Sequence, residues 1–257
     1  MKTQIFLSAL VLFGFTALTS CKKDTDDAVH PAQACTLNHQ TTSADSSQAT
    51  YDSDNRIIKL QRFNNAGSSQ EYTLYTYSSS KIVEKNYDGS SALTSQVDYH
   101  LNSNNNVAYS VYSINGVDYN SADTTWYTYD SGKHNTRRVT KNTTVVVLPV
   151  STYDTTWYTY TGENLTKKEV KINNGTTTTT VYSYGSDDAK SEFLAPESSI
   201  VANLYGDVSD KLPASTTEGS TTTSYIYESN SEGYTTRKKE LISGVTQSDV
   251  HYTYNCK

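Results

Sequence analysis

From about residue 51 onward, apolar or aromatic positions alternate with polar ones. Tyr158-Thr159-Tyr160 alternates aromatic and β-branched side chains, the two-residue period of a strand with one buried face. Thr161-Gly162-Glu163-Asn164 reads as a turn. Leu165 to Ile172 then sets Lys167, Lys168 and Lys171 against Val170 and Ile172, a second strand with a wet face. Asn173-Asn174-Gly175 contains Asn-Gly, the strongest short hairpin signal, and Thr176 to Tyr184 is the next strand. Ile114-Asn115-Gly116-Val117 and Ile242-Ser243-Gly244-Val245 serve as turns elsewhere. The pattern predicts an all-β chain, an antiparallel meander of roughly a dozen or more strands forming an extended, curved sheet.

The hairpins repeat. Asp123-Thr124-Thr125-Trp126-Tyr127-Thr128-Tyr129 recurs unchanged as Asp154 to Tyr160, 31 residues later. Shorter Tyr-x-Tyr copies stand at Tyr75-Thr76-Tyr77, Tyr182-Ser183-Tyr184, Tyr225-Ile226-Tyr227 and Tyr252-Thr253-Tyr254, with a degenerate one at Val97 to Leu101. Spacings of 24 to 43 residues mark an array of similar supersecondary units. Tyr158 to Leu165 with Asn174-Gly175 and Tyr182-Ser183-Tyr184 resembles the tyrosine–aspartate (Rhs-type) repeat, and Tyr127 to Gly132 supplies its Asp and Gly. The resemblance covers roughly residues 50 to 255, most copies lack the Asp, and it implies a fold without a mechanism.

One interval is long. Between Tyr184 and Tyr225, Pro196 opens and Gly206 closes a stretch whose Ile200, Val201, Leu204 and Tyr205 fall on one helical stripe. One short helix is expected near residues 196–205, laid on the sheet, with Asp210-Lys211-Leu212-Pro213 as a loop after it. The chain has 22 Tyr and only 5 Phe, three of them before residue 21. A tyrosine hydroxyl needs a partner when its ring is buried, so a thin core with half-exposed aromatic surface is expected.

Met1-Lys2 and the apolar run Ile5 to Leu18 have the form of a signal peptide. Leu18-Thr19-Ser20-Cys21 resembles the lipobox of bacterial lipoproteins, which implies cleavage before Cys21 and its lipidation. Lys22-Lys23-Asp24-Thr25-Asp26-Asp27 resembles the acidic export signal of Bacteroidota lipoproteins, which implies the outer membrane and its outer, cell-surface face. Together with the hairpins, these features look like a group of lipoproteins of that phylum built from such repeats. The expected organisation is signal peptide 1–20, acidic tether 21–34 and one hairpin-repeat domain 35–257. Cys35 and Cys256 are the only other cysteines, and in an oxidising compartment they are expected to pair, free thiols being the alternative.

A formal net charge of −6 without a basic stretch argues against nucleic acid and against docking on anionic lipid, leaving the lipid anchor as the link to the membrane. His30, His39, His100, His134 and His251 are scattered, no catalytic or phosphate-binding motif occurs, and no metal site or cofactor is implied. Ser78 to Lys81 contains Ser-x-x-Lys at a hairpin turn, and Asp52 to Asn55 lacks the glycine and distal Glu of a calcium loop. Trp126 and Trp157 point away from the tyrosines that follow them and lie two strands apart, roughly 10 Å on one face. Exposed, they form with Tyr127 and Tyr158 a candidate platform for sugar rings; buried, they are core. Thr124 and Thr155, each behind an Asp, resemble an O-glycosylation acceptor. These features point to a non-enzymatic, lipid-anchored envelope protein binding a glycan or a partner protein. The alternative is a structural or assembly component with partners on exposed strand edges, and a glycoside hydrolase stands third.

Overall fold

The computed structural model describes residues 35–114, 123–145, 149–188 and 211–256. They form sixteen strands in chain order. These are β1 (Cys35–Thr41), β2 (Asp45–Tyr51), β3 (Ile57–Asn64), β4 (Ser69–Tyr77), β5 (Lys81–Asp88), β6 (Leu93–Leu101), β7 (Val107–Ile114) and β8 (Asp123–Tyr129). The rest are β9 (Asn135–Val145), β10 (Pro149–Thr161), β11 (Asn164–Lys171), β12 (Thr177–Asp188), β13 (Lys211–Glu218), β14 (Thr221–Ser229), β15 (Thr235–Ile242) and β16 (Val245–Cys256). Each strand runs antiparallel to the next, and β1 pairs with β16.

The meander is therefore a closed barrel, which corrects the expected extended, curved sheet. Closure gives the last edge of a long sheet its ladder partners. No helix occurs among the described residues, and the segment expected to carry one, 196–205, lies outside them, as does the Asn115-Gly116 turn. Lys211-Leu212-Pro213, expected in a loop, begins β13, with Leu212 buried.

Register decides which side chains share a face, because residues directly opposite in a ladder point the same way. Tyr75 opposes Glu84, Ile82 opposes Tyr99, and Tyr99 opposes Ser110. Tyr75, Ile82, Tyr99 and Ser110 are all buried. A face that is buried in strand after strand around a closed barrel is its interior.

The burial is concentrated at one rim, where odd-numbered strands begin and even-numbered strands end. Leu37, Ile57, Ile82, Val107, Asn135, Leu165, Leu212 and Thr235, one near the start of each odd strand, are all at most 8 % exposed. The second tyrosine of five of the repeats closes the ring. Tyr77, Tyr129, Tyr184, Tyr227 and Tyr254 donate their hydroxyls to the main-chain carbonyls of Ile57, Val107, Leu165, Pro213 and Thr235, at 2.6–3.0 Å. Tyr51 bonds the Leu37 carbonyl in the same way. Each bond reaches from the end of an even strand to the start of the odd strand before it. In β6, Leu101 takes that second position and Tyr99 instead donates to Glu84.

Seven of the eight strand pairs that meet at this rim carry a register shift there. β-Bulges bend and twist a strand, so a bulge in nearly every hairpin curls the sheet in one direction until its ends meet. Four of the turns beyond them share one device. The side-chain oxygens of Asp52 and Asn102 each accept from the backbone N–H two and four residues on, and those of Asp130 and Asn230 accept from the N–H four residues on. Asn55, Asn105 and Lys133 then adopt positive φ inside the loop. These caps account for the Asp or Asn behind the tyrosine pair.

Candidate functional site

The outer wall carries the exposed rings. Lys81, His100, Tyr109, Trp126 and Val139 are successive cross-strand neighbours from β5 to β9, all facing outward. His100 stacks on Tyr109 with ring centroids 4.3 Å apart, which turns the two rings into one plate. Trp126, directly opposite Tyr109, is 42 % exposed. On β10, Tyr153 and Trp157 also face outward, opposite Lys141 and Arg137 of β9. Tyr153 is 51 % exposed, and Trp157 is partly buried.

Trp126 and Trp157 thus stand on the same outer face two strands apart, offset by two residues along the strand. Tyr127 and Tyr158 do not join them. They face the interior, where Tyr158 is 4 % exposed and the Tyr127 hydroxyl lies 3.4 Å from that of Ser110. Thr124 and Thr155 face outward and are partly buried, Thr124 between Val111 and Lys141 and Thr155 between Val139 and Lys171.

Alternation also sorts the charges. Among the described strand residues, Lys59, Lys81, Lys85, Arg137, Lys141, Lys167, Lys171, Arg237 and Lys239 point outward, against Asp98, Glu169, Glu228 and Asp249. Inward point Asp45, Glu71, Glu84, Asp88, Asp123, Asp154, Glu218 and Glu240, against Arg62, Arg138, Lys168 and Lys238. A chain with a net charge of −6 therefore has an acidic interior and a basic outer wall. Composition could not reveal this, because the two sets alternate within single strands.

At the rim opposite the buried ring, Tyr112, Ile114 and Val150 point inward and are nevertheless exposed. Arg62 bridges Asp45 and Glu71 there, and hydrogen bonds from Thr42 and Arg62 hold the Asp45 carboxyl below its ordinary range.

Sequence reasoning missed one charged cluster. His134, 7 % exposed, sits in the β8–β9 turn with Nδ1 3.1 Å from Asp130 and Nε2 2.8 Å from Glu163 of the β10–β11 turn. Its ring stacks on Tyr160, centroids 4.5 Å apart. Burial opposes its protonation, but the bonds to Glu163 and Asp130 outweigh it and raise its pKa. The signal was faint, since Glu163 lies 29 residues away on another hairpin. Ser78 closes the β4–β5 turn by accepting from the Lys81 N–H at 3.1 Å, and among the described residues no cluster of His, Cys, Asp or Glu could hold a metal ion. Cys35 and Cys256 are directly opposed backbone positions where β1 meets β16. Residues 1–34 lie outside the described ones.

No protein-family model matches the chain, and no curated protein is similar to it in sequence. Its fold is similar to that of a porin-like protein from Bacteroides uniformis, with a TM-score of 0.62 at 14 % identity over 88 % of this chain and 99 % of that one. A porin-like protein from Bacteroides vulgatus matches at 0.59 and 13 % identity, over 85 % and 98 %. A Tc holotoxin pore structure from Photorhabdus luminescens matches at 0.30 and 16 % identity, over 76 % of this chain and 11 % of that one, too weakly to bear on the fold.

Proposed function

We propose that this chain is a non-enzymatic protein of the bacterial outer envelope. Its barrel is held on the membrane by a lipid at Cys21 and displays its outer wall to a glycan or a partner protein. The observation that carries the reading is the chemistry of that wall. A barrel that spans a bilayer turns an apolar band outward, and each Lys or Arg at the midplane costs about 2–4 kcal/mol. Here Lys59, Lys85, Lys141, Lys171 and Lys239 point outward from strands distributed around the barrel. Such a wall favours water, so the anchor has to come from elsewhere in the chain. The lipobox-like Leu18 to Cys21 supplies it, the acidic Asp24 to Asp27 supports the outer membrane's surface as destination, and the likeness to Bacteroides porin-like folds fits that envelope.

The non-enzymatic part is taken from the sequence, in which no catalytic motif occurs. The structural alternative relied on exposed strand edges, and the β1–β16 pairing removes them.

Fractionation tests the reading. Cys21→Ala should move the protein from the membrane pellet to the soluble fraction, and the native form should leave the membrane on lipase or mild detergent treatment. A Cys21→Ala protein that still resists alkaline carbonate extraction would mean that the barrel wall itself is embedded.

A further inference from the structure

The outward wall of β8 to β10 sets its two tryptophans and Tyr153 beside two cations. Some outward cations are matched: Lys81 by Asp98, Lys167 by Glu169, Arg237 by Asp249. On β9, Arg137 and Lys141 face outward with no described carboxylate within ion-pair distance. Each is the direct cross-strand neighbour of an outward ring, Trp157 for Arg137 and Tyr153 for Lys141. On the other side of β9, Trp126 extends this surface to Tyr109.

From this juxtaposition we propose that the β8–β10 wall binds an acidic polysaccharide, its sugar rings stacked on Trp126, Tyr153 and Trp157 and its carboxylate or sulfate groups met by Arg137 and Lys141. A pyranose offers an apolar C–H face that fits an aromatic ring. An anionic substituent on the same ring needs a cation within a few ångströms of that stack. A guanidinium and an ammonium one strand away from the rings supply it, Arg in the forked geometry that suits a carboxylate. A neutral glycan would leave both cations unused, and an apolar protein partner would have to desolvate them. The proposal rests on the glycan reading above and narrows it to one chemical class.

Affinity electrophoresis with the Cys21→Ala protein tests it, using polygalacturonate and chondroitin sulfate as acidic probes and dextran as the neutral one. Retardation by an acidic probe is expected to fade with added salt. Trp126→Ala and Lys141→Gln should each weaken binding by roughly threefold to tenfold, with Lys141→Gln also flattening the salt dependence. Both side chains lie on the outer wall, so the thermal midpoint should stay at the parent value. If Trp126→Ala lowers it, Lys141→Gln alone decides. Retardation by dextran as strong as by polygalacturonate and indifferent to salt overturns the acidic class while the glycan reading stands. No retardation by any of the three overturns both. Full binding by both variants overturns the assigned wall. Equal affinity for single-stranded poly(dT) or for phosphatidylglycerol vesicles means general polyanion adhesion and also overturns it.

Discussion

A single hydroxyl group explains why this chain uses tyrosine where most proteins use phenylalanine. The ring of Tyr129 fills the buried rim, and its hydroxyl ends 2.8 Å from the Val107 carbonyl, an acceptor that would otherwise be shut away from water. Burial raises the pKa of the Tyr129 phenol, as it does for Tyr77, pushed up to about 12, so both remain donors at any physiological pH. Tyr129→Phe keeps the ring and leaves the carbonyl unpaired. It should cost about 1 kcal/mol, a fall of roughly 2–4 °C in the thermal midpoint of a domain this size. An unchanged midpoint would show that water replaces the hydroxyl. His134 behaves differently. Its pKa is raised above the ordinary 6.5, so its contribution to stability is fully present below that value and is lost as pH rises through the folded-state pKa. Calorimetry at pH 5.5 and 8.5 should therefore find the parent less stable at the higher pH by more than His134→Gln, which cannot titrate. Equal slopes for the two proteins would remove the charge from the account of this turn.

At the scale of the hairpin, the recurring unit is two strands with, in most copies, a bulge near the tyrosine pair, and in four copies an Asp- or Asn-capped turn. The turn caps carry a test of their own. Asn102 accepts the N–H groups of Asn104 and Asn106, so Asn102→Ala should destabilise by about 1 kcal/mol in chemical denaturation, while Asn104→Ala, which removes an exposed side chain, should not. The strands were legible in the sequence because Tyr-x-Tyr and the Asn-Gly turns impose a two-residue period, and so was the outward direction of Trp126 relative to Tyr127. Closure was not. A bulge adds one residue to one strand, which looks in sequence like ordinary slack near a turn, yet its repetition near Tyr51, Leu101, Tyr129, Tyr160 and Tyr184 is what curls the sheet. The charge sorting was hidden for a related reason. Lys167 and Lys168 are neighbours in the chain and stand on opposite sides of the wall.

For the whole molecule, the β1–β16 seam is the contact that turns a meander into a barrel, and it joins strands from opposite ends of the chain. Bringing such distant segments together costs more loop entropy than closing any hairpin. A covalent staple at that seam would therefore act where the fold most needs it. Cys35 and Cys256 are directly opposed in the ladder, and opposed positions in an antiparallel pair have Cα atoms roughly 4.5–5.5 Å apart, inside the range a disulfide spans. A bond there would close a loop of nearly the whole domain, for which chain-entropy models give about 5 kcal/mol. Thiol titration of the denatured, unreduced Cys21→Ala protein should then find no free cysteine. Cys35→Ser should lower the midpoint of unfolding and speed amide exchange at the seam before it does so in β9 and β10. Two reactive thiols in the denatured protein would refute the staple. The seam would then be held by its ladder and by the Thr36 hydroxyl donated to the Asn255 carbonyl, and reducing agent would leave the melting curve where it is.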